Sequence, residues 1–186
     1  MYMKKINGVT VEVLCGDITR ISTGALVVPE YCDRIADTPL VKRLFYCGGD
    51  DGLEFYTVYA KNVKLEAGCV VVTVAGGNAK YLFHVSTRDC DAETFKNDLK
   101  VSIYNVLRYA RLLKVKSLAV PDFCLNKDCP LTQAEMVQVM LEVLDQFPKA
   151  ETAVKEFTIV LSKGGKEYEK AVDVLENESY TTSVAV

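Results

Sequence analysis

A few short stretches carry residue types whose spacing could do chemistry. Val13–Ile21 reads VLCGDITRI: an apolar run stops at Gly16-Asp17, and Thr19 follows. A carboxylate beside backbone N–H groups at the end of a strand can hold a hydrogen-bonding ligand. Taken alone, Asp17 reads first as the cap of a short turn through Thr19. A second stretch, Pro121–Pro130, reads PDFCLNKDCP. With a single histidine in the chain and no C-x-x-C spacing, Cys124 and Cys129 do not read as zinc ligands, and no metal is expected. Cys129 falls just before a helical pattern, which favours thiolate, although small apolar loop residues are the plainer reading of both cysteines.

Two further candidates are weaker. Gly48-Gly49-Asp50-Asp51-Gly52 lacks the Lys-Ser/Thr of a phosphate-binding loop, and its carboxylates repel phosphate, so it reads as a helix end and loop. His84 lies in the apolar run YLFHVS with no nucleophile to serve, which reads as a core histidine rather than a base. Aromatic residues cluster in and around the middle of the chain (Tyr31, Tyr46, Phe55, Tyr56, Tyr59), and Phe123 follows a strand end. Packing is the plainer reading of each one individually; if one of them stacks on a base or ribose, Phe123 is the preferred candidate.

These residues must be positioned by a scaffold. The 186 residues suit one domain, expected over 1–177 with a frayed tail at 178–186. Hydrophobic residues are 49% and charged residues 25%, as in ordinary globular chains. A net charge of -3 leaves no basic footprint for duplex nucleic acid, while a nucleotide needs only local donors. The opening MYMKKINGVTVEV lacks the apolar core of a signal peptide, and no apolar run reaches the roughly 20 residues of a membrane span. The 7 scattered cysteines suggest free thiols in a cytoplasmic protein rather than a disulfide framework.

Val9, Val11 and Val13 alternate with polar residues, which is strand period. ALVV at Ala25–Val28, GCVVVTVA at Gly68–Ala75, YLFHVS at Tyr81–Ser86, SLAVP at Ser117–Pro121 and FTIVL at Phe157–Leu161 read as further strands. Thr38-Pro39 announces a helix running to Gly48, with Thr as N-cap and Pro at the first helical position. Leu53–Ala60 fits strand or helix equally. Leu99, Ile103, Val106, Leu107 and Ala110 mark an amphipathic helix over about 94–114. Thr132 and Glu135 form a capping box, with Leu131 and Met136 as the staple, ahead of another helix. Tyr168, Ala171, Val172 and Leu175 give the last. Strands alternating with helices predict an α/β fold, a three-layer α/β/α sandwich around a mixed, largely parallel sheet, with ligands bound beyond the carboxyl ends of strands.

The order of these landmarks resembles the macrodomain family, the ADP-ribose-binding module. VEVLCGDITRISTGALVVPE is similar to that family's opening, and LEAGCVVVTVAGGNAKYLFHVSTR, SLAVPDF and FTIVLSKGGKEYEKAVDVL follow in the family's order. The resemblance spans about residues 9 to 176 and is weakest over 29–66. It implies that Asp17 accepts from an adenine amino group and that the Ile18 N–H serves the ring edge, with Thr19 and Val28 beside them. It further implies that Phe123, Cys124, Leu125, Asn126 and Lys127 line the ligand loop. The chain departs from the family where Asn residues usually follow the ALV strand, reading Val28-Pro29-Glu30-Tyr31-Cys32 instead. Asp33–Thr38 replaces a glycine-rich phosphate wrap, and Cys124–Cys129 contains no glycine and carries Asp128. Glycine is needed there because bare backbone must approach phosphate closely.

The expected function is therefore a macrodomain-like, non-catalytic binding module for ADP-ribose or a related adenine nucleotide, without catalytic residues or cofactor. ADP-ribosyl hydrolysis is disfavoured by the missing Asn and Gly residues. The competing expectation is a degenerate scaffold whose cleft is filled by Tyr31, Phe123 and Leu125 and which works through protein contacts or homo-oligomerisation.

Overall fold

A computed structural model describes residues 2–32, 38–48, 64–75, 77–88, 90–123, 129–162 and 164–177. Among them seven strands form one sheet: β1 (Tyr2–Ile6), β2 (Val9–Cys15), β3 (Thr23–Tyr31), β4 (Val70–Val74), β5 (Ala79–Thr87), β6 (Ser117–Pro121) and β7 (Glu156–Leu161). The order across the sheet is β1-β2-β7-β6-β3-β5-β4. The five inner strands are parallel, and β1 and β4 close the two edges antiparallel. Four α-helices among the described residues accompany them: α1 (Pro39–Gly48), α2 (Ala92–Leu112), α3 (Gln133–Gln146) and α4 (Lys166–Asn177). The three-layer sandwich expected from the alternation is the one found.

The inner strands show why the sheet needs helices on both faces. Ala25, Val27, Phe83, Val85, Leu118, Val120, Ile159 and Leu161 face one way and join the large core under α2, α3 and α4. The residues between them, Leu26, Val28, Leu82, Ala119 and Val160, face the other way and join a smaller core with Val41, Leu40 and Leu44 of α1. Both parities being apolar is what makes these strands read as continuous hydrophobic runs.

Caps set the helix ends. Thr38 Oγ1 accepts from the Val41 N–H at 3.3 Å, as the Thr-Pro pair predicted. Asp91 starts α2 by accepting from the Thr94 N–H at 3.0 Å, so that helix begins slightly ahead of its apolar stripe. The capping box of Thr132 and Glu135 is formed in both directions.

The opening strand β1 is a correction to the sequence reading, which placed the first strand at Val9. Its signal is the dipeptide Asn7-Gly8, whose φ angles of 49° and 85° make the two-residue turn suited to a tight hairpin. Lys4 and Lys5 within β1 hid the apolar alternation. The Asn7 side chain also donates to the Leu144 and Phe147 carbonyls, which ties the hairpin to the end of α3. The segment Leu53–Ala60, the tail from Glu178, and the aromatic residues Phe55, Tyr56 and Tyr59 lie outside the described residues.

Candidate functional site

The carboxyl ends of β2, β7 and β6 lie side by side, because Cys15 is in register with Leu161 and Pro121 with Val160. Just beyond them stand Asp17, Ser162 and Asp122. This edge of a parallel sheet is where α/β folds gather ligands.

Asp17 follows β2 and caps a 3₁₀ turn over Ile18–Arg20. Its Oδ1 accepts from the Thr19 N–H at 3.1 Å and from the Thr19 hydroxyl at 2.8 Å. The capping geometry is therefore present. Oδ2 faces the guanidinium of Arg43 on α1 at the longer distance of 3.4 Å. The two bonds from Thr19, aided by Arg43 and Arg20, hold the Asp17 carboxyl below its ordinary value, so it is an anion at neutral pH. Oδ2 remains the oxygen on which an incoming donor can compete with Arg43. The Ile18 side chain is buried in the smaller core, while its N–H, at the first position of the turn, has no partner among the described residues. Asn78 braces the turn by donating to the Thr19 carbonyl at 3.0 Å, and its own carbonyl accepts from the Thr23 N–H at 2.9 Å.

Asp122 follows β6 and gathers three donors onto a single oxygen. Its Oδ2 accepts from the Ser162 N–H at 3.0 Å, the Ser162 hydroxyl at 2.6 Å and the Gln133 Nε2 at 3.0 Å. Gln133, only 6% exposed, leaves its Oε1 buried without a partner among the described residues. The amide orientation is dictated by chemistry: turning it over would set an oxygen against a carboxylate.

The other predicted residues are placed differently. The Val28 side chain is fully buried beneath α1, so only its backbone can meet a ligand. Phe123 is 1% exposed within the large core and offers no ring face to a base, a correction to its expected stacking role. Tyr31 is half-buried at the end of β3, and Cys129 packs partly against the large core. Cys124, Leu125, Asn126 and Lys127, the predicted ligand loop, lie outside the described residues.

His84 is a core residue, as its setting predicted. Its Nδ1 lies 2.9 Å from Glu30 Oε1 and its Nε2 lies 2.9 Å from Thr73 Oγ1, with imidazole and carboxylate both buried. Glu30 had no signal in the sequence beyond being a carboxylate inside an apolar strand. Among the described residues, no group of three or more His, Cys, Asp or Glu is arranged to hold a metal ion. No described helix is long and apolar enough to cross a membrane.

No protein-family model and no curated protein matches the sequence. Solved structures do match. A macrodomain of Oceanobacillus iheyensis with ADP superposes at a TM-score of 0.79, with 18% identity, over 94% of this chain and 94% of that one. The macro domain of ganglioside induced differentiation associated protein 2 gives 0.75 at 18% identity, over 96% and 90%. A Trypanosoma brucei macrodomain in complex with ADP gives 0.74 at 12% identity, over 89% of this chain and 68% of that one. The strand order, the layers and these superpositions define a macrodomain fold, in a sequence far diverged from the proteins that share it.

Proposed function

We propose that this chain is a non-catalytic binding module for an adenine-containing nucleotide of the ADP-ribose type, held at the end of β2. The observation that carries the reading is the Gly16–Thr19 turn. It presents an ionised Asp17 with one oxygen free of its cap bonds beside an unpartnered Ile18 N–H. An acceptor and a donor on neighbouring residues match the amino group and ring nitrogen along one edge of adenine. Neighbours of the same fold are described with ADP and, in one variant, with ADPR. The absence of the family's usual Asn and Gly residues supports binding without turnover.

The test is a thermal unfolding titration with adenosine, AMP, ATP, NAD and ADP-ribose. A ligand at about 100 times its dissociation constant adds roughly 2.7 kcal/mol, a midpoint rise of several degrees. Asp17→Ala loses its cap and about 1 kcal/mol of stability. The readout is therefore the ligand-induced rise over each protein's own baseline, which the variant is expected to lack.

The degenerate-scaffold reading draws its support from Phe123, which is buried, and from Asp17, which is satisfied within its own turn. Absence of a rise with every ligand, together with a concentration-dependent oligomer or a captured partner, would favour it.

A further inference from the structure

We infer that Arg43 sets which adenine ligands this turn favours: it holds Asp17 Oδ2 against a neutral nucleoside and yields it to a ligand that carries phosphate. The inference rests on the adenine reading of the Gly16–Thr19 turn and adds to it a specificity-determining residue from α1.

Packing places Arg43 for this role. Leu40, Val41 and Leu44 of α1 share the smaller core with Ile18, so the helix and the turn are fixed against each other. Arg43 stands on the solvent side of that helix, its side chain 67% exposed, and its Nη2 reaches Asp17 Oδ2 at 3.4 Å. Among the described residues, Asp17 is its only ion-pair partner. The guanidinium therefore has a fixed base and a mobile tip. An exposed pair of this kind is worth at most about a fivefold change in an equilibrium, so it can be broken at small cost.

The two bonds from Thr19 occupy Oδ1, so an adenine amino group has to take Oδ2, the atom that Arg43 holds. A neutral nucleoside replaces the ion pair with one hydrogen bond and leaves the guanidinium to water. A phosphorylated ligand brings anionic oxygens one nucleoside length away, comparable with the Debye length of about 8 Å at physiological ionic strength. The freed guanidinium is then attracted to the ligand itself. Arg20, at the end of the same turn, adds a second cation near Asp17. The carboxylate of Asp122 is two strands away and has three donors gathered on its Oδ2.

The experiment is isothermal titration calorimetry on the full chain with adenosine and with ADP-ribose. Wild-type protein is compared with Arg43→Gln, which removes the charge, and with Arg43→Lys, which keeps it. Both changes fall on an exposed helix position and preserve helix propensity, so the fold is retained. Arg43→Gln is expected to tighten adenosine about two- to fivefold and to weaken ADP-ribose at least about threefold. Arg43→Lys is expected to return both toward the wild type. Whatever else the phosphates meet is common to the three proteins, so the opposite movement of the two ligands isolates Arg43. Adenosine that binds Arg43→Gln no more tightly than the wild type, or ADP-ribose that binds it as tightly, would overturn the inference and leave the adenine reading standing. Binding of neither ligand to any of the three proteins would overturn both.

Discussion

Asp17 commits one carboxylate oxygen to its own turn and leaves the other toward Arg43, which is how a capping residue can also present an acceptor. The cap was legible in the sequence because its partner, Thr19, is two residues away. Arg43 was not, because its approach depends on where α1 lies against the turn. The pairing of Asp122 with Ser162 bridges 40 residues and had no local signal either. Phe123 was left open between packing and stacking because the period of β6 ends at Pro121, and beyond a strand's end alternation no longer tells core from solvent. Another pair at this scale sets an acid-side prediction. Asp98 is buried in α2 and takes the Arg88 Nε at 2.9 Å and Nη2 at 2.7 Å, bonds that hold its pKa below the ordinary range. A carboxylate depressed in the folded state stabilises above its unfolded pKa and loses that contribution as pH falls through the folded value. Arg88→Gln is expected to cost about 2 kcal/mol at pH 7. Its deficit against the wild type should shrink below about pH 4, as measured by urea unfolding across pH. A deficit constant down to pH 2 would exclude this linkage.

At the scale of elements, the most constrained junction is the approach to β4. Gly68 has φ of 80°, and a Cβ there would lie 2.6 Å from Val101 Cγ1 of α2. Its N–H donates to the Ser86 carbonyl, and its carbonyl accepts from the Asn105 side chain at 2.8 Å. The glycine therefore lets the incoming chain pass under α2 with no side chain between. Gly68→Ala is expected to destabilise by about 2–4 kcal/mol, since it combines backbone strain with overpacking. A thermal midpoint within 2 °C of the wild type would show that α2 yields to accommodate it. The capped helices and two-sided strands were readable from sequence because their signals are local and repeated. The hairpin β1–β2 was readable in its Asn7-Gly8 turn, yet it was missed because Lys4 and Lys5 mask the strand.

At the scale of the whole molecule, the sheet formed by the described residues ends in two edges of different character. β1 carries Lys4 and Lys5, while β4 reads VVVTV without a charge, and its Val74 is 78% exposed. Charged residues on an edge strand discourage pairing with another chain, and an uncharged apolar edge invites it. Val74→Lys is expected to leave stability within about 0.5 kcal/mol while slowing aggregation on heating, read by light scattering. Unchanged aggregation would place its origin elsewhere. The macrodomain fold was legible because its landmarks occur in a fixed order along the chain. The cluster of Asp122, Gln133 and Ser162 was not, because these residues meet only after β6, β7 and α3 have packed. The account stands or falls on whether adenine is read at the end of β2. The most direct measurement is an amide NMR titration of the full chain with adenosine and AMP, following Ile18 and its neighbours. Saturable shifts centred on Asp17, Ile18 and Thr19, and lost in Asp17→Ala, are the predicted result. Amides of this turn that stay fixed at millimolar ligand, or shifts centred on another part of the molecule, would contradict it.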